Sequence, residues 1–353
     1  MRSLALGAGA ILLSGCVAAA LPLAAAGVMA QKTASKGSAD KPQAKAGEQT
    51  TVTDDQGRTW VIAPVTELPA PQGPPASPAS LPSAPGEVAG VADPEAAMRY
   101  LYGSGEAAAL GVQAYQALGA WLKDRAGDKA AGQPGISTIL ARGATLDRPA
   151  FVPCGDNPPA VVFDIDETVL LNLGFESHAA RTGAPYDEAR WQRWESTGAG
   201  KVTAVPGALD VIAEARRVGI TVVFNSNRSA INAAATAAAL QSAGLGPAVR
   251  GDTLWLKGDA GTGSGKDERR WRIAEKYCVV ALVGDQLGDF SDLFNTYSPI
   301  SARRAVAVQP MVAPLWGSGW FILPNPVYGS AIAGSFDQIF PVEKRWSDPA
   351  GEQ

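Results

Sequence analysis

Four groups of polar residues in this chain have the types and spacing to do chemistry. The first lies in Ala160-Val-Val-Phe-Asp-Ile-Asp-Glu-Thr-Val169, where the apolar run Val161 to Phe163 meets Asp164, Asp166 and Thr168. Side chains two apart on extended backbone point to the same side, so both carboxylates face one small volume. Like charges held that close repel and desolvate each other, at considerable cost unless a cation sits between them. Every neighbouring ligand is a hard oxygen, and that selects magnesium. Alone, Asp-x-Asp-x-Thr also describes a polar loop or a helix cap at Asp166 or Thr168. Three further groups decide between these readings.

Ser226, Asn227 and Arg228 end the apolar run that starts at Ile220. Lys266 follows the glycine-rich loop Gly258 to Gly265, and Asp285 and Asp289 follow Val279-Val-Ala-Leu-Val-Gly284. Phosphoryl transfer uses every member of this set. Asp164 is the expected nucleophile, splitting the reaction through an aspartyl-phosphate. Asp166 is the expected acid for the leaving alcohol and then the base for water. Asp164, Asp285 and the carbonyl of Asp166 are the expected magnesium ligands, with Asp289 a further ligand or the residue that orients metal-bound water. Ser226 donates to a phosphoryl oxygen, Lys266 offsets charge on the others, and Asn227 and Arg228 bind substrate. Singly, Ser226 is an ordinary helix cap, Lys266 a solvated charge and Asp289 a surface acid. Lys257 competes with Lys266 because it stands at a strand end; Lys266 is favoured because the helix after the loop aims it back.

The elements that position these groups alternate. Strands are expected at 160–163, 220–228, 253–257 and 279–284, and helices at 208–217, 230–243 and 266–276. This is the pattern of an α/β fold with a right-handed parallel sheet, in which ligands collect at the carboxyl ends of the strands. Leu170 to Gly200 interrupts the alternation with a polar, helix-prone segment holding Phe175, Tyr186, Trp191 and Trp194. Asp93-Pro94-Glu95 reads as a helix start, followed by helical spacing of Met98, Leu101, Leu110, Tyr115, Leu118, Trp121 and Leu122, with a break at Gly103 to Gly105. From Gly127 to Pro159 the composition is that of a loop.

The chain has 353 residues, 46% of them hydrophobic, and a net charge of −4, so a large core is available and no basic field attracts a nucleic acid polymer. His178 is the one histidine, which argues against a His-rich zinc site or a Ser-His-Asp triad and suits a surface or cap position. Residues 1–30 form a leader: Arg2, the apolar run Leu4 to Leu13, then Leu13-Ser14-Gly15-Cys16, which resembles a bacterial lipobox with Cys16 as the lipidated residue. Cleavage after Ala30, or retention of the apolar segment as a membrane span, stands beside that reading. Residues 31–92 are a Pro- and Ala-rich tether, disordered by composition, with an island at Thr59 to Ile62 that suits a short strand or a docking peptide. The folded domain is expected at 93–346, with a tail at 347–353.

Asp164-x-Asp-x-Thr168, Ser226-Asn-Arg228, Lys266 and Gly284-Asp-x-x-x-Asp289 resemble the four motifs of the haloacid dehalogenase (HAD) superfamily. Trp191-Gln-Arg-Trp194, Val205-Pro-Gly-Ala208, Phe224 to Arg228 and Leu323-Pro-Asn-Pro-Val-Tyr-Gly329 narrow the likeness to the class C acid phosphatases, subfamily IIIB, over roughly 93–346. That resemblance implies a HAD-like Rossmannoid sheet, a small, mainly helical cap at about 171–203, and magnesium-dependent hydrolysis of small phosphomonoesters. It also implies a lipid anchor in the bacterial envelope and often a homodimer. Gln286 and Gly288 depart from the family's usual Asn and Asp. Under a cap, Phe175, Trp191, Trp194 and Tyr328 would sandwich a ring, as in relatives that cleave nucleoside 5'-monophosphates; the competing reading makes both tryptophans cap core. Cys154 lies just before the first strand and Cys278 opens the fourth; in such a fold those strands are neighbours, which allows a disulfide at the sheet's lower edge. A phosphotransferase, or an envelope binding lipoprotein with a vestigial acidic site, is the alternative.

Overall fold

The computed structural model describes residues 50–53, 59–62, 93–133, 135–261 and 263–349, and the chain divides into two units, Met1–Ala84 and Pro85–Gln353. In the first unit Thr50–Thr53 and Thr59–Ile62 pair antiparallel, with Thr51 opposite Val61, so the island around Trp60 is a strand. The leader with Cys16 and the Pro-rich part of the tether lie outside the described residues.

A strand covered on both faces needs an unbroken apolar run. Helix α1 (Gly105–Ala130) precedes five strands of this kind in the second unit: β1 (Pro159–Phe163), β2 (Thr221–Ser229), β3 (Leu254–Lys257), β4 (Cys278–Gly284) and β5 (Trp320–Ile322). All pair parallel, in the order β3-β2-β1-β4-β5. Strand β1 is central, with Val161 beside Val222 on one side and Ala281 on the other. β5 adds to the four strands expected. At three residues it is too short to show a pattern; what holds it is Trp320, buried among Phe290, Phe294 and Trp316.

Alternate side chains of the strands feed two cores. Val161 and Phe163 join Tyr115, Leu118 and Leu122 of α1 on one face. Ala160 and Val162 join Ile273, Phe290 and Trp320 on the other. The covering helices are α4 (Ala208–Arg217) and α5 (Ala233–Ser242) on the α1 face, and α6 (Asp267–Ala274) and α7 (Ile300–Ala307) opposite. Gly219 closes α4 with a left-handed φ of 79°, which a glycine adopts without strain.

The expected cap segment is framed by two short strands. Leu170–Leu171 and Thr203–Ala204 pair antiparallel at its neck, and between them lie α2 (Leu173–Thr182) and α3 (Glu188–Thr197). Its entry and exit are thus fixed beside the end of β1.

The amino-terminal preamble differs in detail from its expectation. The first helical residues are Ala96–Met98, without a side-chain cap, and Arg99–Gly103 form a wider π turn. The break falls at Ser104, whose hydroxyl caps α1 through the Ala107 amide at 3.0 Å. α1 then runs past Gly127, where a loop was expected; an Arg125–Asp128 ion pair of 3.0 Å spans its last turn. A disulfide joins Cys154 to Cys278, Cα atoms 4.6 Å apart, and ties the loop before β1 to the first residue of β4. Among the described residues no helix is long and apolar enough to cross a membrane.

Candidate active site

β1 and β4 deliver their acids side by side because the two strands are paired up to their last residues. The Asp164 amide still donates to the Val283 carbonyl at 2.9 Å. Asp164, Asp285 and Asp289 are all buried in the sense that matters here: each offers a carboxylate oxygen, and those oxygens lie within 4.8 Å of one another. Lys266, 5% exposed, reaches the same point from the start of α6. Its Nζ lies 2.5 Å from Asp164 Oδ1 and 2.7 Å from Asp289 Oδ1. Lys257 also borders the cavity, but its Nζ is 3.8 Å from Glu188 of the cap. The structure therefore brings Lys266, and not Lys257, onto the acid cluster.

Neighbours fix each acid in place. Asp285 accepts from Thr168 Oγ1 and from Asn325 Nδ2, both at 2.8 Å, and from Gln286 Nε2 at 3.2 Å. Asp289 turns one oxygen back to the amides of Asp285 and Gln286, at 3.1 and 2.9 Å, leaving the other to Lys266. The return is open only because residue 284 is glycine; a Cβ there would stand 2.3 Å from that of Asp289. Burial is the main force on two acids: it pushes the Asp164 carboxyl well up, against the pull of Lys266, and the Asp285 carboxyl to about 7, with Asp289 adding to the rise. Three carboxylates this close stay ionised together only beside positive charge. The donors are hard oxygens, a set that fits a divalent ion such as magnesium.

Asp166 belongs to a separate arrangement. Arg228 Nε and Nη2 lie 2.9 and 2.7 Å from its Oδ1, Asn172 Nδ2 lies 3.0 Å away, and the Ser226 hydroxyl donates to Oδ2 at 3.4 Å. Arg228 is 2% exposed and does not border the cavity. The expectation that it binds substrate is corrected: its guanidinium is spent on Asp166 and, at 2.9 Å, on Asn172. Asn227 does border the cavity, and Arg269 of α6 holds the turn there, donating to the Ser226 carbonyl at 2.6 Å and to Asn227 Oδ1 at 2.5 Å.

Above the rim lies a cavity of about 980 Å³ that both the sheet end and the cap line. Phe175, Trp191 and Tyr328 border it, the first two in edge-on contact with ring centroids 5.0 Å apart. Trp194 does not. Its indole Nε1 donates to Asn172 Oδ1 at 3.0 Å, and its ring lies where a Cβ on Gly174 or Gly198 would be. It is the core of the cap, as the competing sequence reading had it. His178 is exposed on α2.

A family model for acid phosphatases of the HAD superfamily, subfamily IIIB, matches residues 136–331, more than half of the chain. The chain belongs to this family. Two structures of the class C acid phosphatase from Bacillus anthracis, one with tungstate bound, resemble it at 26% identity and a TM-score of 0.51. Each match covers 67% of this chain and 84% of theirs. The protein is a phosphomonoesterase.

Several residues that shape this acid phosphatase's site escaped the sequence reading. Glu167 takes a left-handed φ of 54°, uncommon for a side-chain-bearing residue, and its buried carboxylate accepts from Tyr102 at 3.1 Å, from the Asn172 amide at 2.9 Å, and from Tyr328. It thereby joins the amino-terminal turn, the cap neck and the loop after β5. Glu195 of α3 accepts from the Ser229 amide and, at 2.9 Å, from Asn232, tying the cap to the turn after β2. Asn325 stands inside Leu323-Pro-Asn-Pro-Val-Tyr-Gly329, a visible motif with no visible target. Arg269 and Arg270 stand in a charged stretch that gives no sign of burial, and they are 1% and 0% exposed.

Proposed function

We propose that this enzyme is a magnesium-dependent phosphatase that forms an aspartyl-phosphate on Asp164, with nucleoside 5'-monophosphates among its substrates. The observation that carries the reading is the meeting of Asp164, Lys266, Asp285 and Asp289 at one end of the sheet. A bound magnesium ion, held by Asp164, Asp285 and the carbonyl of Asp166 with Asp289 beside it, would neutralise charge between an anionic nucleophile and an anionic ester.

The chain's own residues account for the rest. Asp164 attacks phosphorus as the ester P–O bond breaks, and Asp166 gives its proton to the departing alkoxide. Arg228 and Asn172 keep Asp166 directed into the cavity. Asp166 then takes a proton from water, whose oxygen attacks phosphorus and releases Asp164 and phosphate. Lys266 and the Ser226 hydroxyl hold phosphoryl oxygens throughout. The Bacillus anthracis relative with tungstate bound supports a site for a tetrahedral oxyanion. Phe175, Trp191 and Tyr328 support a flat leaving group.

The test is a phosphomonoester panel with magnesium and with chelator, joined to acid quenching of turnover on a ³²P-labelled ester. Label on the Asp164 peptide, released by hydroxylamine, is expected; activity without label would remove the covalent step. Room in the cavity for an acceptor keeps a phosphotransferase as the second reading, told apart by adding alcohols and looking for new esters. We also propose that the enzyme works in the bacterial envelope, anchored through Cys16. The Cys154–Cys278 disulfide supports an oxidising compartment. Loss of fatty-acid labelling in Cys16→Ser is the expected result.

A further inference from the structure

The cap wall of the cavity carries an acid with nothing to hold. Glu176 follows Phe175 in α2, borders the cavity, and is 8% exposed. No described residue gives its carboxylate a hydrogen bond or a salt bridge. The neighbouring acids differ. Glu188 accepts from the Tyr186 hydroxyl at 2.7 Å, Glu195 from Ser229 and Asn232, Glu167 from Tyr102 and Tyr328. Glu95, also on the cavity, is in solvent. Arg190 is the cation that acts on Glu176, but it makes no salt bridge with it: Nη2 donates to the carbonyls of Ala184, at 3.2 Å, and Pro185, the buried Nε has no partner among the described residues, and the guanidinium stands 5.5 Å from the Phe175 ring.

A carboxylate taken from water without a donor loses its hydration and regains nothing from the protein. The consequence is visible in Glu176 itself, whose carboxyl burial pushes up to about 7 against the pull of Arg190. A ligand that supplies positive charge at this point recovers the loss, and a cation recovers more than a neutral donor. The rings of Phe175 and Trp191 line the same wall, and aromatic faces attract organic cations. Nothing about phosphate binding asks for an acid here; the leaving group must.

We propose that Glu176 is a specificity determinant that receives a protonated or quaternary nitrogen on the leaving alcohol, so that zwitterionic phosphomonoesters of amino alcohols are preferred substrates. This rests on the phosphomonoesterase reading of the rim and narrows its leaving group.

Two isosteric pairs isolate the charge: O-phosphoethanolamine against n-propyl phosphate, and phosphocholine against 3,3-dimethylbutyl phosphate. For the parent enzyme kcat/KM should favour the cationic member of at least one pair by about tenfold or more, the lower end for a charge-assisted contact. The same ratio should fall to near unity in Glu176→Gln and be largely kept in Glu176→Asp. Calorimetric affinities of the four esters for the intact protein are measured alongside, so the charge preference is read even without turnover. Equal handling of both members by the parent overturns the proposal whatever the variants do. A preference that survives Glu176→Gln overturns it as well, since the charge is then read elsewhere. An enzyme that binds the cationic esters selectively but hydrolyses no phosphomonoester would fault the reading of the rim and not that of Glu176.

Discussion

The sheet rim and the cap wall face each other across one cavity and are built on opposite terms. At the rim, every acid has a partner: Asp164 and Asp289 share Lys266, Asp285 has Thr168 and Asn325, Asp166 has Arg228. On the cap wall, the rings of Phe175 and Trp191 pack edge-on against each other at the cavity, and the carboxylate of Glu176 has no hydrogen-bond partner among the described residues. A surface whose groups are already satisfied is set for one fixed job, in the proposed function the holding of a phosphoryl group whose shape never varies. A surface with unused groups is set to respond to what enters. Under the proposed function, the reacting end and the selecting end of the substrate fall to different elements of the chain.

The contrast can be broken by substitution. Removing the proposed nucleophile should have the largest effect: Asp164→Asn is expected to lower kcat on every phosphomonoester by on the order of 10⁴-fold or more, with the fold intact by circular dichroism. Next comes the support of Asp166. Arg228→Ala should reduce kcat by about 10²- to 10³-fold, within the range for general acid–base catalysis, with KM changed far less. Had Arg228 bound substrate directly, KM would rise instead. Asn325→Ala, which takes a donor from Asp285, should weaken magnesium activation by about 10- to 100-fold and be rescued by added metal. The smallest change belongs to the cap wall. Trp191→Ala should raise KM for AMP relative to a simple alkyl phosphate by about 1–3 kcal/mol in free-energy terms. Trp194→Ala should leave that ratio alone and lower the melting temperature. If the two tryptophans exchange these outcomes, the division of labour between them falls.

What could be read in advance follows from the same division. The parallel sheet was legible because four of its strands hold apolar runs, and the acids and Ser226 follow or end those runs, so order along the chain maps onto place at the rim. The convergence of Asp164, Ser226 and Asp285 on one rim was legible this way, and that of Lys266 from the helix that follows its loop. Arg228 was found and misdirected: its position after β2 says that it reaches the rim, but not that Asp166 and Asn172 would take its guanidinium. The same holds for Trp194, whose i, i+3 relation to Trp191 puts both on one side of α3 without saying which meets the cavity. Glu167, Asn325 and Glu195 act through partners far along the chain, and no local period marks such a bond. β5 was missed because three residues carry no pattern, and its place depends on a buried tryptophan cluster.

Gly284 leaves no room for a side chain. A single methyl group added there would meet Asp289 at 2.3 Å, within the span of a covalent bond's neighbours and far inside contact distance. The three atoms nearest to it all belong to Asp289: its Cβ and the carbon and one oxygen of the carboxylate folded back over the strand end. An alanine at this position would thus separate scaffold from reactivity, giving a protein that holds its shape and has mislaid one corner of its cluster. Emptiness at one α-carbon is as much a component of the centre as any of the acids around it.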